Sequence, residues 1–273
     1  MPELPEVETI ARELNEVLPG RSIREVRIFR ADALGVVPAE AFRGSLLGQC
    51  FTRVRRRGKY LLFHLHPRGF LVGHLRMTGK FILSPRLARP HPHHRAWFEL
   101  DDDTLLIFQD LRCFGTLTVV ERLSRHPPLR LLGMDPLSRG FTVDWLERAA
   151  GESRMPLKNW LMDQSKLAGL GNIYAAEILF AAGLSPFRIT NSMTRAEATR
   201  LHQATRRLLR LAIKMRGTTI SDFRRVDDKT GEFQNFLRVY GKEGLPCPAC
   251  RSPIARARQQ QRSTFYCPTC QPS

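Results

Sequence analysis

Four of the six cysteines form two matched pairs near the end of the chain. Each pair has the spacing C-x-x-C, and sixteen residues separate Cys247 and Cys250 from Cys267 and Cys270. Thiolates at this spacing lie on two tight turns and can complete a tetrahedron around Zn²⁺, which leaves no open position for a substrate. A redox or disulfide pair is the alternative, and it is less typical of a chain without a secretion signal. The pattern therefore predicts one structural zinc ion.

The chain is strongly basic, with 43 Lys and Arg against 26 Asp and Glu and a formal charge of +17. Such an excess favours a polyanionic partner, of which nucleic acid is the usual one because neutralised phosphates release counterions. An anionic membrane or an acidic protein is the alternative, but no basic amphipathic helix with Trp or Phe on its apolar face is evident. Between the cysteine pairs, a hairpin is predicted to carry Arg256, Arg258 and Arg262 at its tip. These arginines either contact phosphates or are simply solvated.

The opening residues MPELPEVETI read first as the start of a helix. Apolar residues recur at helical spacing from Val7 to Leu18, and Pro19-Gly20 is expected to end the helix. Pro2, Glu3 and Pro5 are residue types that the first helical turn favours, so their spacing alone indicates only a helix start. The segment has no apolar core typical of a signal peptide, and no stretch of the chain is apolar enough to span a membrane.

The spacing of apolar residues then changes twice along the sequence, which predicts an α+β protein of two domains and a small appendage. Short alternating apolar runs from about residue 22 to 121 predict a β-sandwich, and a Pro- and Gly-rich stretch follows. Helical periodicity returns after it, and the segment 217–236 has no clear period, which is typical of a functional or mobile loop. The predicted domains are a catalytic β-sandwich domain 1–124, a linker 125–142, a helical domain 143–236 and a zinc finger 237–273.

Seven motifs, in order along the whole chain, carry a resemblance to a known family. They are MPELPEVET at the start, GKYLL around Lys59, HLRMTG around Met77, DLRCFG from Asp110, GLGNIYAAEILF from Gly169, VYGKEGLPCPAC and RSTFYCPTCQ. The chain resembles the bacterial formamidopyrimidine-DNA glycosylases, which are related to the endonuclease VIII type. The resemblance implies an N-terminal helix with a β-sandwich, a helix-two-turn-helix domain and a zinc finger, in agreement with the texture of the sequence.

The resemblance implies that Pro2 is the nucleophile once Met1 has been removed. A terminal α-amine has a reference pKa of about 7.7 to 8, so much of it is neutral near neutral pH. Such an amine can displace a damaged base at the sugar's anomeric carbon and form a Schiff base. Glu3 is implied to shuttle protons while the sugar ring opens. This chemistry requires that Met1 be absent from the mature protein.

The resemblance also assigns residues to the damaged base. Lys59 is implied to contact the lesion or its phosphate and to assist base removal, although the neighbouring run of arginines also fits a solvated strand face. Met77, Arg112 and Phe114 are implied to fill the space of an extruded base, although Met77 and Phe114 taken alone fit a core. Two positions depart from the family pattern, Leu111 in place of proline and Cys113 in place of a basic residue. Neither Cys113 nor Cys50 has an expected role.

Further residues are implied to contact the DNA backbone or the extruded base. Asn172 is expected at a helix start, where backbone N–H groups and the helix dipole attract a phosphate, and it also fits an ordinary N-cap. The other implied backbone contacts are His74, Tyr240 and Arg262. The loop 217–236 is implied to close over the base, with hydrogen bonds from Thr218 and Thr219.

Three functions remain open from the sequence. The first is a bifunctional glycosylase and lyase for oxidised purines, which the MPELPE start favours over the MPEGPE start typical of endonuclease VIII. The second keeps the lyase chemistry but acts on oxidised pyrimidines. The third is a zinc-finger protein that binds DNA without catalysis. For the enzyme we expect a monomer that acts on damaged double-stranded DNA, has no membrane partner, and lies in the bacterial cytoplasm with the nucleoid.

Overall fold

The computed structural model describes residues 1–35, 37–85, 89–218 and 230–272, which fold as two compact units. The first unit comprises Met1–Arg130 with Met215–Glu232, and the second comprises Leu131–Lys214 with Phe233–Ser273. The predicted domain boundaries divide the chain differently, because they place the whole segment 217–236 with the helices. Those boundaries remain a prediction.

Helix α1 (Leu4–Val17) opens the first unit. Glu3 precedes it in an extended conformation, and Pro5 lies in its first turn, where a proline costs no intrahelical hydrogen bond. One face of α1 is buried, including Val7, Ile10 and Leu14, and this face packs against the sandwich that follows. A second short helix, α2, is Ala39–Gly44.

Two antiparallel four-stranded sheets form the sandwich in the described part of this unit. The strands in chain order are β1 (Ile23–Ile28), β2 (Cys50–Arg57), β3 (Tyr60–His66), β4 (Phe70–His74), β5 (Gly79–Pro85), β6 (His94–Leu100), β7 (Thr104–Asp110) and β8 (Thr116–Val120). One sheet has the order β1-β6-β7-β5, and the other has the order β2-β3-β4-β8. Because β4 pairs with β3 on one side and with β8 on the other, the loops at the ends of these three strands lie close together.

The main core lies between the two sheets and α1, and it contains Phe51, Phe63, Phe81, Phe98 and Phe108. Strand β6 is buried at every residue because its outer face is covered as well. There Trp97 packs with Leu105 and Ile107 in a small separate cluster. The α+β class predicted from the sequence is confirmed.

The second unit is helical and ends in a zinc-finger hairpin. Its helices are α4 (Val143–Gly151), α5 (Leu157–Met162), α6 (Asn172–Ala182) and α7 (Arg195–Lys214). Helix α3 (Pro127–Arg130) precedes them and ends the first of the two segments that make up the first unit. Helix α6 is buried on nearly all sides, and α7 packs against it through an apolar stripe that includes Leu201 and Leu209. Strands β9 (Ala255–Gln259) and β10 (Arg262–Tyr266) pair in the predicted hairpin. Among the described helices, none combines the length and the apolar character that a membrane span requires.

Candidate active site and nucleic-acid contacts

The buried carboxylate of Glu6 holds the start of α1. Pro2 and Glu3 precede the helix and are buried. One oxygen of Glu6 accepts the backbone N–H of Glu3 at 2.8 Å, and the other accepts that of Thr218 at 2.7 Å. Gly217 has φ +82°, and a Cβ at this position would lie only 3.0 Å from the Glu6 side chain. Glu6 thus joins the predicted nucleophile's segment to the first residues of the predicted lesion loop.

The described part of that loop comprises residues 217–218 and 230–236. Thr219 lies outside the described residues, as does the loop from 219 to 229. Thr218 is 4% exposed, and its backbone N–H donates to Glu6. The predicted roles of Thr218 and Thr219 toward an extruded base remain predictions.

Lys59 lies in the tight turn between β2 and β3, after Gly58 with φ +58°. The guanidinium of Arg56 fixes this turn, because it donates to Glu8 of α1 at 3.0 Å and to the carbonyl of Gly58 at 3.2 Å. Lys59 itself is only 6% exposed. A lysine held this far from solvent does not fit the solvated strand face that its sequence neighbourhood allowed.

His74 ends β4 opposite Tyr60, whose ring meets its imidazole edge-on at 4.5 Å between centroids. Burial, followed by the charges of Arg76 and Lys59, lowers the pKa of His74 to about 3. The ring is therefore neutral at physiological pH. Its Nδ1 accepts the backbone N–H of Arg76 at 3.0 Å, so the proton is on Nε2, which can donate to a phosphate oxygen.

Replacement of His74 by Gln is expected to change how stability depends on pH. A histidine with a lowered pKa binds its proton more readily in the unfolded chain, so this group lowers the free energy of unfolding as pH falls from about 6.5 toward 3. The free energy of unfolding of the His74→Gln variant should therefore fall less steeply with pH over that range. The difference in slope from the parent should be up to about 1.4 kcal/mol per pH unit. Urea unfolding at a series of pH values measures the difference. The exposed His91→Gln is the control, and equal slopes for the parent and His74→Gln would contradict a neutral His74.

The carboxylate of Asp110 organises the two loops that carry the predicted wedge residues. It is 1% exposed and accepts hydrogen bonds from the Thr78 hydroxyl, from the backbone of Arg112 at 3.2 Å and from the backbone of Gly115 at 2.7 Å. Thr78 in turn accepts the N–H of Arg112 at 3.0 Å. The loop that contains Met77 is thereby joined to the loop 110–115.

The side chains of this second loop face solvent. Leu111 and Phe114 are each 54% exposed, and the Arg112 guanidinium lies 4.9 Å from the centroid of the Phe114 ring. This cation–π contact holds the two side chains together. Cys113 between them has φ +58°, which turns the chain so that its neighbours project outward. The exposure of Phe114 does not fit the core position that its residue type alone allowed.

Replacement of Asp110 by Asn is expected to loosen the wedge loop. An amide offers only one acceptor oxygen, so either the buried N–H of Gly115 or the hydroxyl of Thr78 loses its acceptor on this side chain, at a cost of about 1 to 3 kcal/mol. We expect kcat/KM for the predicted incision at a damaged base to fall about tenfold or more, because the predicted wedge residues are no longer held in place. Incision of a lesion-containing duplex measures the effect. The exposed Asp103→Asn in the β6–β7 turn is the matched control, and equal activity of both variants would contradict this role.

In the second unit, a shared carbonyl connects α5 and α6 to the zinc-finger hairpin. Lys158 is fully buried, and its ammonium donates to the carbonyl of Ser263 at 2.9 Å and to the hydroxyl of Thr264 at 2.7 Å. Burial and the charge of Arg262 lower the pKa of Lys158 to about 8. Asn172 Nδ2 donates to the same Ser263 carbonyl at 3.0 Å. Arg262 is exposed beside this anchor, at the start of β10.

Asn172 is the first residue of α6, whereas Gly171 occupies the N-cap position. The alternative of an ordinary N-cap side chain is therefore wrong for Asn172. Its Oδ1 is buried without a hydrogen-bond partner among the described residues. The predicted phosphate contact remains a prediction for this residue.

Glu177, an acid within the apolar helix α6, positions the backbone that carries Tyr240. Its carboxylate accepts the N–H groups of Arg238, Val239 and Tyr240, each at 2.8 or 2.9 Å. Burial raises the pKa of Glu177, and these hydrogen bonds oppose the increase. The Tyr240 ring packs edge-on against Phe265 of β10, with 5.2 Å between centroids.

The four cysteines of the two pairs converge on one point, since their Sγ atoms all lie within 4.8 Å of one another. Cys247 and Cys270 are 3.8 Å apart at sulfur, and Cys250 and Cys267 are 3.4 Å apart. Four sulfurs around a zinc ion at about 2.3 Å are separated by about 3.8 Å. All four are free thiols in the structure, which opposes the disulfide alternative. The residues fit one structural zinc ion.

Several residues that organise the site were not singled out from the sequence. Asp110 and Glu177 lay inside quoted motifs without a role, and Lys158 was not named. The sequence does carry a signal for Lys158 and Glu177, because each is the only charged residue within a short apolar helical run. The run is LKNWLM for Lys158 and NIYAAEILFAA for Glu177. Asp110 gave no such signal, since an acid at the end of a strand is common.

Comparison with known proteins agrees with this order of modules. Family models match in sequence: the formamidopyrimidine-DNA glycosylase N-terminal domain over residues 1–117, its H2TH domain over 132–224, and a zinc finger found in FPG and IleRS over 244–272. The fold and the four-cysteine finger thus define a DNA repair glycosylase of three modules. The chain belongs to the formamidopyrimidine-DNA glycosylase family.

Relatives match over the whole length. The chain is 46% identical to the formamidopyrimidine-DNA glycosylase of Thermus thermophilus, with 99% of this chain and 98% of that protein covered. The enzyme of Carboxydothermus hydrogenoformans is 41% identical, at 99% and 100% coverage. Among solved structures, the Thermus thermophilus MutM (Fpg) protein gives a TM-score of 0.88 at 44% identity, covering 99% of this chain and 98% of that one. A Lactococcus lactis FPG mutant bound to Fapy-dG-containing DNA gives 0.93 at 32% identity, with both chains fully covered.

Proposed function

We propose that the protein is a bifunctional DNA glycosylase and lyase that removes oxidised purines, chiefly 8-oxoguanine and formamidopyrimidines, from duplex DNA. Structures of relatives hold Fapy-dG, carbocyclic 8-oxo-G or an abasic site in DNA. The observation that carries the proposal is the Glu6 anchorage of the Pro2-Glu3 segment, because Glu6 joins that segment to the lesion-loop segment by two short hydrogen bonds.

The first step is displacement of the damaged base. The lone pair on the imino nitrogen of Pro2, freed by removal of Met1, attacks the anomeric carbon, and the bond to the base breaks as the base leaves with a proton. The ring oxygen is then protonated while the sugar opens, and the nitrogen becomes a cationic iminium. Glu3 is adjacent to the nucleophile and moves protons during this opening.

The iminium then directs strand cleavage. Its positive charge acidifies the C–H at the adjacent sugar carbon, so loss of that proton expels the 3′ phosphate, and a further elimination expels the 5′ phosphate. Water finally hydrolyses the iminium and restores Pro2. Because proline is a secondary amine, its iminium is permanently cationic, which favours both eliminations over those of a primary amine.

The remaining residues act on the DNA. Lys59, confined in its turn, meets the lesion or its phosphate, and neutral His74 donates Nε2–H to a neighbouring phosphate oxygen. Met77, Arg112 and Phe114 fill the space that the extruded base leaves, with Arg112 able to bond the orphaned opposite base. Asn172, Tyr240 and Arg262 contact the backbone from the second unit.

Borohydride trapping on defined duplexes tests the proposal. The full-length zinc-loaded protein is incubated with duplexes that contain 8-oxoguanine or thymine glycol, with sodium borohydride present to reduce the iminium. We expect a covalent adduct and strand cleavage with 8-oxoguanine at a clear excess over thymine glycol. A preference for thymine glycol would assign the protein to oxidised pyrimidines, and binding without any adduct would assign it to non-catalytic DNA binding.

A further inference from the structure

One exposed face of α7 carries a row of four cationic side chains and one glutamine. Arg200, Arg207, Arg210 and Lys214 recur with Gln203 at spacings of three and four residues, which places all of them on one side of the helix. All five are exposed. At 1.5 Å per residue, the row extends about 21 Å along the helix axis.

Within the part of the chain that the structure describes, this row, the arginine row, has few of the acids that usually accompany surface cations. The acid of α7 is Glu197, which lies 4.0 Å from Arg200 but 2.8 Å from Arg188, and its other oxygen accepts from Thr194. No carboxylate among the described residues pairs with Arg207, Arg210 or Lys214. Two other arginines of this unit have carboxylate partners: Arg195 pairs with Asp144 and Glu147, and Arg256 pairs with Glu243.

The arginine row lies along a concave part of the surface. Arg200, Arg207 and Arg210 line a cleft of about 670 Å³ together with Ala181 of α6. Ala181 and Arg207 also line an adjoining recess of about 310 Å³. Both clefts belong to the second unit.

The recess has an apolar floor. Its lining includes Leu208, Leu211, Phe233 and Phe236, of which Leu211 is 36% and Phe236 is 46% exposed. The two phenylalanine rings are stacked at 18° with 6.0 Å between centroids. Glu177 also reaches this lining, but its oxygens accept the three backbone N–H groups described above and do not neutralise the arginines.

We propose that the arginine row and the adjoining recess bind an acidic peptide segment of a partner protein. Carboxylates of the peptide pair with Arg200, Arg207 and Arg210, and one apolar side chain of the peptide enters the recess between Leu211 and Phe236. A peptide supplies both features at the required spacing: charges every few residues and a side chain small enough for a recess of this volume.

A nucleic-acid backbone fits this surface less well. Phosphates would satisfy the arginine row, but the sugar-phosphate backbone carries no apolar side chain that could enter the recess lined by Leu208, Leu211 and Phe236. Exposed apolar side chains beside unpaired arginines are instead typical of a protein interface, whose core is apolar and whose rim is charged.

Fluorescence anisotropy with labelled synthetic peptides tests the proposal. The probe is a short peptide of Asp and Gly around one Phe, with a second peptide that has Ala in place of Phe and a third that has Lys in place of Asp. The full-length protein should bind the first probe, more weakly the second, and not the third, with affinity that falls as salt rises. The double variant Arg207→Glu/Arg210→Glu should raise the Kd of the first probe about tenfold or more.

A matched double variant separates a specific site from general basicity. Arg68→Glu/Arg122→Glu makes the same change in net charge at exposed positions of the first unit and should change the Kd by no more than about twofold. Phe236→Ala should remove the preference for the Phe probe over the Ala probe. Circular dichroism of each variant checks that its helices remain folded.

A competition experiment decides between a peptide and a nucleic acid as the occupant. A duplex with a single 8-oxoguanine is added to the complex of protein and probe, and we expect the probe to stay bound. Incision by Arg207→Glu/Arg210→Glu should remain within about threefold of the parent, whatever the chemistry of Pro2. Displacement of the probe by duplex, equal binding by both double variants, or no binding of the acidic probe by the parent would overturn the proposal.

Discussion

Replacement of Pro2 by glycine is expected to reduce borohydride trapping and strand incision by about three orders of magnitude, or about 4 kcal/mol of transition-state stabilisation. Two physical effects act together. Glycine leaves a primary amine, whose imine is not permanently cationic, and it removes the ring that fixes the direction of the nitrogen lone pair before α1. Trapping with an 8-oxoguanine duplex, quantified by gel shift of the covalent adduct, measures the loss.

The control for this variant is the same substitution at Pro19, just beyond the end of α1. Pro19→Gly should trap and incise like the parent, because it changes the chain at a turn remote in sequence from the nucleophile. Full retention of trapping by Pro2→Gly would contradict the dependence on the secondary amine of Pro2, and replacement of Lys59 would then test a lysine as the nucleophile. Mass spectrometry of the active protein adds a second check, since a protein that still carries Met1 and cleaves damaged strands contradicts the mechanism.

Removal of the zinc ion has the second large expected effect. A hairpin of this size buries too little apolar surface to fold alone, so metal binding supplies much of its folding free energy. Chelation, or replacement of Cys250 by Ser, should unfold β9 and β10 and reduce affinity for duplex DNA about a hundredfold. The loss spreads beyond the finger, because buried Lys158 then loses its acceptors on Ser263 and Thr264.

Three measurements on the same samples test this prediction. Elemental analysis should find about one zinc ion per chain in the parent and a deficit in Cys250→Ser. Limited proteolysis should cut the variant within 244–272, and anisotropy with a labelled duplex should report the loss of affinity. Cys50→Ser is the matched control, since Cys50 lies in β2 outside the sulfur cluster. A Cys250→Ser protein that retains zinc and affinity would contradict a structural role for the metal.

The sequence by itself determined the features whose geometry is local. Two C-x-x-C units predict a metal site because each pair is fixed by a single tight turn. Helix α1 could be predicted from the apolar spacing between Val7 and Leu14, and the sandwich could be predicted from alternation within single strands, since both patterns depend on neighbours in sequence. The motif resemblance likewise covered the chain in order, and full-length relatives confirm the family.

Only the tertiary structure decided which groups hold the site together. Glu6 meets Thr218 across 212 positions of sequence, Lys158 meets Ser263 across 105, and Glu177 meets Val239 across 62. Each is a buried charged group that needs specific partners, and those partners come from segments whose approach depends on how strands and helices pack. No local pattern encodes such an approach, because the free energy that selects it comes from the burial of the whole core and not from the residues that meet.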